Sequence, residues 1–224
     1  MKKLTIAGIA ALCAIFAGTA ARAQMGMNQP AIRGIFHPTV GAGADYDMTT
    51  AEGKTMPIEI SIVGKQSVQG ADGYWMEMTA QDARMGQVVT KMLLVVDGTN
   101  SRVDQLVIMT PTMGAMSMPM TMMQGRGGAQ QPKDIRADAT NVGKESITVP
   151  AGTFSCDHWH SSDGNTDVWV TEDVSPYGLV KMSDTKDKTS MVLTKTLTGV
   201  QDKITGPVRD MSQMMRGMGM PPQQ

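Results

Sequence analysis

Cysteine is nearly missing from this chain. Cys13 and Cys156 are the only two in 224 residues, and Cys13 falls inside an apolar leader, so one thiol remains and an internal disulfide is excluded. The fold must hold by packing and backbone pairing alone. Histidine is as scarce: His37, His158 and His160 are the whole complement, which leaves little acid–base machinery. No nucleophile elbow, His-Glu-x-x-His or phosphate-cradling glycine loop opening a helix is present. Excess charge is missing too. The 20 basic and 21 acidic residues nearly cancel, which speaks against a nucleic-acid binder or a strongly cationic membrane-surface protein. These absences point away from an enzyme.

Long apolar runs are confined to the amino terminus. Lys2 and Lys3 precede an apolar stretch from Leu4 to Ala20, and Ala21-Arg22-Ala23 places small residues where signal peptidase reads. Residues 1–23 are expected to be a cleaved signal peptide, giving a periplasmic or secreted chain that starts near Gln24. No transmembrane segment is expected in the mature protein.

Short strands dominate the mature chain. Asp45 to Thr49, Pro57 to Val63, Tyr74 to Thr79, Val88 to Val96 and Arg102 to Thr110 alternate or run apolar, with Asp72-Gly73 and Asp97-Gly98 as turn signals. Ile135 to Thr140, Ser146 to Val149, Phe154 to His160, Thr166 to Thr171, Leu179 to Met182 and Ser190 to Thr198 continue the pattern. Val149-Pro150-Ala151-Gly152 and Ser175-Pro176-Tyr177-Gly178 suit type I turns, with proline second and glycine fourth. The expectation is all-β: a curved antiparallel sheet over residues 34–200, preceded by a flexible segment 24–33. A partly helical Met-rich tail, 201–224, completes the chain. There Pro207 would open a short helix with Val208, Met211, Met215 and Met218 on one face.

Methionine is what the chain has in abundance, 23 in all. Seven fall between Met109 and Met123, and Met116, Met118, Met120 and Met122 recur at period two. Residues 113–132 read as a loop, because Gly125-Arg126-Gly127-Gly128 and Gln130-Gln131-Pro132 bury little surface. Two chemistries compete for the methionines. Thioethers are soft donors for Cu(I), and methionine is also the adaptable apolar side chain of promiscuous surfaces. Met48, Met56, Met76, Met78, Met92, Met182 and Met191 sit in or beside strands, so part of the density is a habit of the whole chain.

Cys156-Asp157-His158-Trp159-His160 is the sharpest local motif. On a strand, Cys156, His158 and His160 share one face, and a thiolate with two imidazoles suits zinc or copper. Same-face Cβ atoms roughly 7 Å apart are wide for one ion. Cys156 as a nucleophile, with Asp157 or Asp163 orienting a histidine, is a second possibility. The plain alternative is a strand whose polar face carries histidines. Trp75, Trp159 and Trp169 are packing anchors or cavity-lining residues.

ESITVPAGTFSCDHWH and DVWVTEDVSPYGLVKM, with FHPTVGAGADYDM and VGKQSVQGADGYWMEM upstream, resemble exported bacterial proteins of unknown function related to the lipoprotein-carrier superfamily typified by LolA and LolB. The likeness spans residues 34 to 200. It implies an incomplete antiparallel β-barrel around an apolar cavity, and no catalytic residues. The expected function is non-catalytic binding, without a cofactor, of a lipid, another apolar small molecule or a protein segment. Trp75, Met116, Met118, Met120, Met122, Trp159, Trp169, Met211 and Met215 are the candidate ligand contacts. The alternative is periplasmic copper binding through the methionine clusters, with Cys156, His158 and His160 as possible metal ligands. A structural envelope protein is a third class. Oligomeric state is left open.

Overall fold

The computed structural model describes residues 33–97, 100–118, 133–211 and 213. Among these the chain is all-β. A short pair joins β1 (Arg33–Gly34) to β8 (Lys133–Asp134) in parallel. The main sheet has twelve strands. Its first meander is β2 (Ala42–Thr49), β3 (Thr55–Val68), β4 (Ala71–Asp82), β5 (Gly86–Asp97), β6 (Asn100–Thr110) and β7 (Gly114–Met118). Its second is β9 (Ala139–Val149), β10 (Gly152–Ser161), β11 (Thr166–Val170), β12 (Leu179–Asp184) and β13 (Thr189–Thr198). The two meanders join where β13 pairs with β2, and β14 (Arg209–Asp210) runs parallel to β7 at one edge. β9 forms the other edge. The sheet is therefore open and curved, with every main pairing but the last antiparallel.

Period-two patterning decides which face is buried. Ala44, Tyr46 and Met48 on β2 and Ile58, Ile60 and Ile62 on β3 are all at most 3% exposed. They share one apolar cluster with residues from β4, β5, β6 and β9 to β13. The sheet curls around that cluster, which lines its concave side. Burying each such side chain contributes about 1.5–3 kcal/mol.

The outer face has a smaller apolar patch of Val89, Val107 and Ala115, and Ile204 packs onto it. The segment after β13 thus runs back across the outside of the first meander before pairing as β14. The Met-faced helix expected from Pro207 is not formed there. Arg209 and Asp210 take an extended backbone opposite Met116 and Ser117, and only Met211 and Gln213 beyond them are helical among the described residues. An open strand edge with unpaired backbone groups offers more partners than an isolated short helix.

Other expectations change as well. Gly114–Met118, read as the start of a loop, pairs with β6 as a strand. Ile135–Ala137 is a 3-10 turn capped by the Asp134 side chain, so the strand expected from Ile135 begins only at Ala139. The β3–β4 turn is Gln69-Gly70, both with positive φ, and Asp72-Gly73 lies inside β4. Two positive-φ residues fit the twist of a hairpin better than the Asp-Gly signal two positions later. The corner at Ser175-Pro176-Tyr177-Gly178 closes over five residues, Gly178 N donating to Val174 O at 2.7 Å, instead of a four-residue type I turn.

Candidate functional site

Directly opposed residues on adjacent antiparallel strands point to the same face. By that rule Met56, Met48, Met191, Met182, Val168 and Trp159 form one row on the concave face, crossing β3, β2, β13, β12, β11 and β10. Four consecutive members are methionines. Met48, Met182 and Met191 are 1–3% exposed. A second row on the same face runs Ile62, Met76, Met92, Leu106 and Met118 from β3 to β7.

Aromatic side chains from opposed elements close over these rows. Phe36, in the segment after β1, lies 5.2 Å from the Tyr177 ring and 6.1 Å from that of Tyr74. Backbone bonds from Ile35 N to Tyr177 O and His37 N to Pro176 O hold that segment in place. Tyr177 Oη donates toward Met76 Sδ at 3.3 Å, and Tyr46 Oη donates to Leu179 O at 3.1 Å. Burial lifts both phenols above the usual tyrosine range, so they stay neutral donors.

One position beyond the methionine row the same face turns polar. Thr189 stands opposite Asp184, and Asp184 opposite Thr166. Thr166 Oγ1 donates to Asp184 Oδ2 at 2.8 Å. The buried atoms Thr189 Oγ1 and Trp159 Nε1, on strands three apart in the sheet, have no hydrogen-bond partner among the described residues.

The candidate ligand contacts divide between the two faces. Met116, Met118 and Trp159 lie on the concave side; Met116 is buried opposite Ile108, and Met118 packs against the main cluster. Trp75 lies on the outer face of β4, its Nε1 donating to Gln66 Oε1 at 3.0 Å and Lys91 Nζ 5.0 Å from its ring. Trp169 alternates to the opposite side of β11 from Val168 and Val170, and its ring packs against the edge of the main cluster. Met211 is half-buried just past β14. Met120, Met122 and Met215 lie outside the described residues.

Trp169 belongs to a polar cluster. Its ring stacks on His158 at 4.5 Å and 16°, and Lys181 Nζ sits 4.7 Å from its centroid. The register places His158, Trp169 and Lys181 side by side on β10, β11 and β12. Trp169 Nε1 donates to Glu145 Oε2 at 2.7 Å. His158 Nε2 and His160 Nδ1 meet one oxygen, Asp167 Oδ1, at 2.9 and 2.8 Å. Burial opposes ionisation of Asp167, but the His160 and His158 contacts hold its carboxyl below the usual range.

Cys156 does not join the histidines. It is buried, its Sγ directed at Phe154 O, 3.8 Å away. Burial, with the charges of Asp157, Glu145 and Asp173, pushes its thiol up to about 11. A thiol so protonated is a poor nucleophile and a poor metal ligand. Among the described residues no group of three His, Cys, Asp or Glu is arranged to hold a metal. His158 Nδ1 also lies 3.5 Å from Glu145 Oε2; Asp167 and Glu145 were not legible as the histidines' partners, because both come from neighbouring strands through register alone.

On the outer face the returning segment is held by charge. Lys203 Nζ meets Glu59 Oε2 at 2.5 Å and Thr79 Oγ1 at 2.9 Å, and Lys203 N donates to the Glu77 carboxyl at 3.2–3.3 Å. Lys91 pairs with Asp202. Glu77 is fully buried. Burial and its contact with Asp202 push its carboxyl up to about 7. The described surface includes two open depressions. One, of about 300 Å³, is lined by Asp45, Glu59, Thr79, Gln81 and neighbours; the other, of about 490 Å³, by Val208, Arg209, Asp210 and Gln213. Neither includes a residue of the methionine row.

A family model described as "Domain of unknown function (DUF4412)" matches residues 49–217. The chain belongs to this family. No curated protein matches the DUF4412 chain. Among solved structures it is similar to a candidate exported protein with a YmcC-like fold from Bacteroides fragilis NCTC 9343, at 14% identity and TM-score 0.39, covering 73% of this chain and 99% of that one. It is similar to a candidate lipoprotein from Parabacteroides distasonis ATCC 8503 at 14% identity and TM-score 0.36, over 75% and 100%. It is also similar to MucB at 12% identity and TM-score 0.34, over 74% of this chain and 57% of MucB. No helix of the described residues is long and apolar enough to cross a membrane.

Proposed function

We propose that this protein is a non-catalytic binding protein of the cell envelope that holds an apolar ligand, such as an acyl chain, against its concave face. The row Met56, Met48, Met191, Met182 carries this reading. A static core is better specified by branched side chains with few rotamers. Four unbranched thioethers side by side make a surface that can re-pack around a guest. The leader read from the sequence supports an envelope location. The likeness to half-barrel lipoprotein carriers, also read from the sequence, fits the same job. Titrating the mature chain with a neutral apolar fluorophore tests it. Saturable binding, reversed by an acyl competitor, is expected, and a protein that gives no saturable signal lacks this function.

The same row also favours a second reading, Cu(I) binding. Neighbouring Cα atoms in such a ladder are about 4.5–5.5 Å apart, close enough for the sulfurs of Met48, Met191 and Met182 to converge on one soft ion. Withdrawal of Cu(I) from a chromophoric chelator would support it.

A further inference from the structure

Glu77 is a carboxyl with no exposed surface, set on the outer face of β4. Across that face it stands between Ser61 on β3 and Lys91 on β5. Thr79, the next residue on the same side of β4, stands between Glu59 and Val89. Beyond Glu59 follow Asp45 on β2 and Lys195 on β13. Toward β7 the face turns apolar, with Val107 opposite Lys91 and Met109 opposite Val89. The sheet thus offers Glu77 one cation directly, Lys91, and more distant charges at Glu59, Asp45 and Lys195. The remaining charges around it, Asp202 and Lys203, belong to the segment that returns after β13.

That segment touches the sheet through three residues. Of residues 201–209, only Asp202, Lys203 and Ile204 are not exposed. Lys203 N donates to both Glu77 oxygens at 3.2–3.3 Å, and its Nζ reaches Glu59 and Thr79. Asp202 pairs with Lys91 and accepts from Ile204 N at 2.8 Å. Ile204 covers Val89, Val107 and Ala115. Water therefore reaches Glu77 only when these three residues leave.

The two carboxyls in contact, Glu77 and Asp202, respond to one another. Burial, then the Asp202 contact, pushes Glu77 up to about 7. Burial opposes ionisation of Asp202, but the contacts with Glu77 and Lys91 hold its carboxyl below the usual range. One proton thus lies between them, donated by Glu77 to a charged Asp202. A second negative charge in that buried place has no water to solvate it.

We infer that residues 202–204 form a pH-sensitive latch: the proton between Glu77 and Asp202 holds the returning segment on the outer face, and its loss lets the segment lift from Val89, Val107 and Ala115. The latch is independent of the apolar-binding reading, which concerns the concave face. Its sign follows from linkage. The closed segment binds the proton more tightly than the open one, so closure is favoured in acid and weakens as pH rises toward about 7. If lifting returns Glu77 to its ordinary 4.5, opening increases about tenfold between pH 6 and pH 8.

Amide hydrogen exchange by NMR, each rate corrected for base catalysis, tests this on the Lys203 and Ile204 N–H groups. Both should exchange through a local opening that about 1 M urea hardly changes, and that grows about tenfold from pH 6 to pH 8. Glu77→Gln keeps a donor for Asp202 and an acceptor for Lys203 N but cannot ionise, so its opening should not vary with pH. Asp202→Asn alters a half-buried residue and keeps the acceptor for Ile204 N, so it should fold even if Glu77→Gln does not. Its opening should rise less with pH than that of the natural protein. Four results would each overturn the latch: no pH dependence in the natural protein, an equal rise in Glu77→Gln, an equal rise in Asp202→Asn, or exchange of both amides only in urea-sensitive unfolding with the central strands.

Discussion

Met48 on β2 stands directly opposite Met191 on β13, at the seam where the two meanders of the sheet become one. Each has a further methionine as its next neighbour outward, Met56 and Met182. The centre of the concave face is thus a run of four thioethers, built from two halves of the chain far apart in sequence.

Replacing Met48, Met182 and Met191 together by leucine separates the two uses of that row. Leucine matches methionine closely in volume and hydrophobicity, so stability should change by less than about 1.5 kcal/mol in a denaturant titration. Binding of an apolar fluorophore should persist. Any Cu(I) withdrawn from a chelator by the natural protein should be lost, since leucine cannot coordinate the ion. Loss of fluorophore binding with retention of Cu(I) would reverse the assignment.

Glu77 makes stability depend on pH. Its folded-state carboxyl is raised to about 7 from 4.5, so the native protein holds the proton more tightly than the unfolded chain. Its contribution is complete below the unfolded value and is lost as pH rises from about 4.5 to 7. Asp202 is shifted the other way: burial opposes its ionisation, but the Glu77 and Lys91 contacts hold it lower. Its contribution is present above its ordinary value and is lost only in stronger acid. Glu77→Gln should therefore flatten the stability profile between pH 5 and 8, gaining up to about 3 kcal/mol over the natural protein at pH 8. Equal slopes in the two proteins, measured by urea unfolding across that range, would show that Glu77 does not hold the proton.

Cys156 should be silent in the native state. A thiol raised to about 11 from 9.0 has on the order of a hundredfold less thiolate near pH 8. A chromogenic disulfide reagent should react only after unfolding in guanidinium. Rapid native labelling would show an accessible, activated thiol.

Gly178 has φ +64°, and a Cβ there would lie 2.7 Å from Thr171 O, the backbone it bonds across the corner. Gly53, at φ +75°, has open space around it. Gly178→Ala should destabilise by about 2 kcal/mol or more, and Gly53→Ala by about 1 kcal/mol, the cost of the conformation alone. Equal losses in thermal unfolding would mean that the Gly178 corner relaxes freely.

Strands such as Val88 to Val96 could be read locally, because apolar alternation is a property of neighbouring residues. The outer-edge errors share one cause. Gly114–Met118 alternates as a strand should, but its methionines and the glycines after them suggested a loop. Its partner, Arg209–Asp210, is nearly a hundred residues away, and its sequence suggested a helix. The methionine row was hidden for the same reason. Met48, Met56, Met182 and Met191 looked like scattered apolar residues until the β2–β13 register set them side by side. Of the candidate contacts, Trp159, Met116 and Met118 share the concave face, while Trp75 and Trp169 alternate to the opposite side of their strands. Sequence periodicity gives the face within one strand; the relation between strands is set only by register.

That division of tryptophans gives the most direct measurement. Bromine quenches indole fluorescence at contact, so a brominated acyl chain reports which tryptophan it touches. In Trp75→Phe, Trp169→Phe, where only Trp159 emits, the chain should quench saturably and in step with fluorophore displacement. In Trp159→Phe, where only Trp75 and Trp169 emit, emission should stay unchanged over the same titration. Quenching of Trp75 or Trp169 with Trp159 unaffected would place the apolar ligand on the outer face and contradict binding on the concave one.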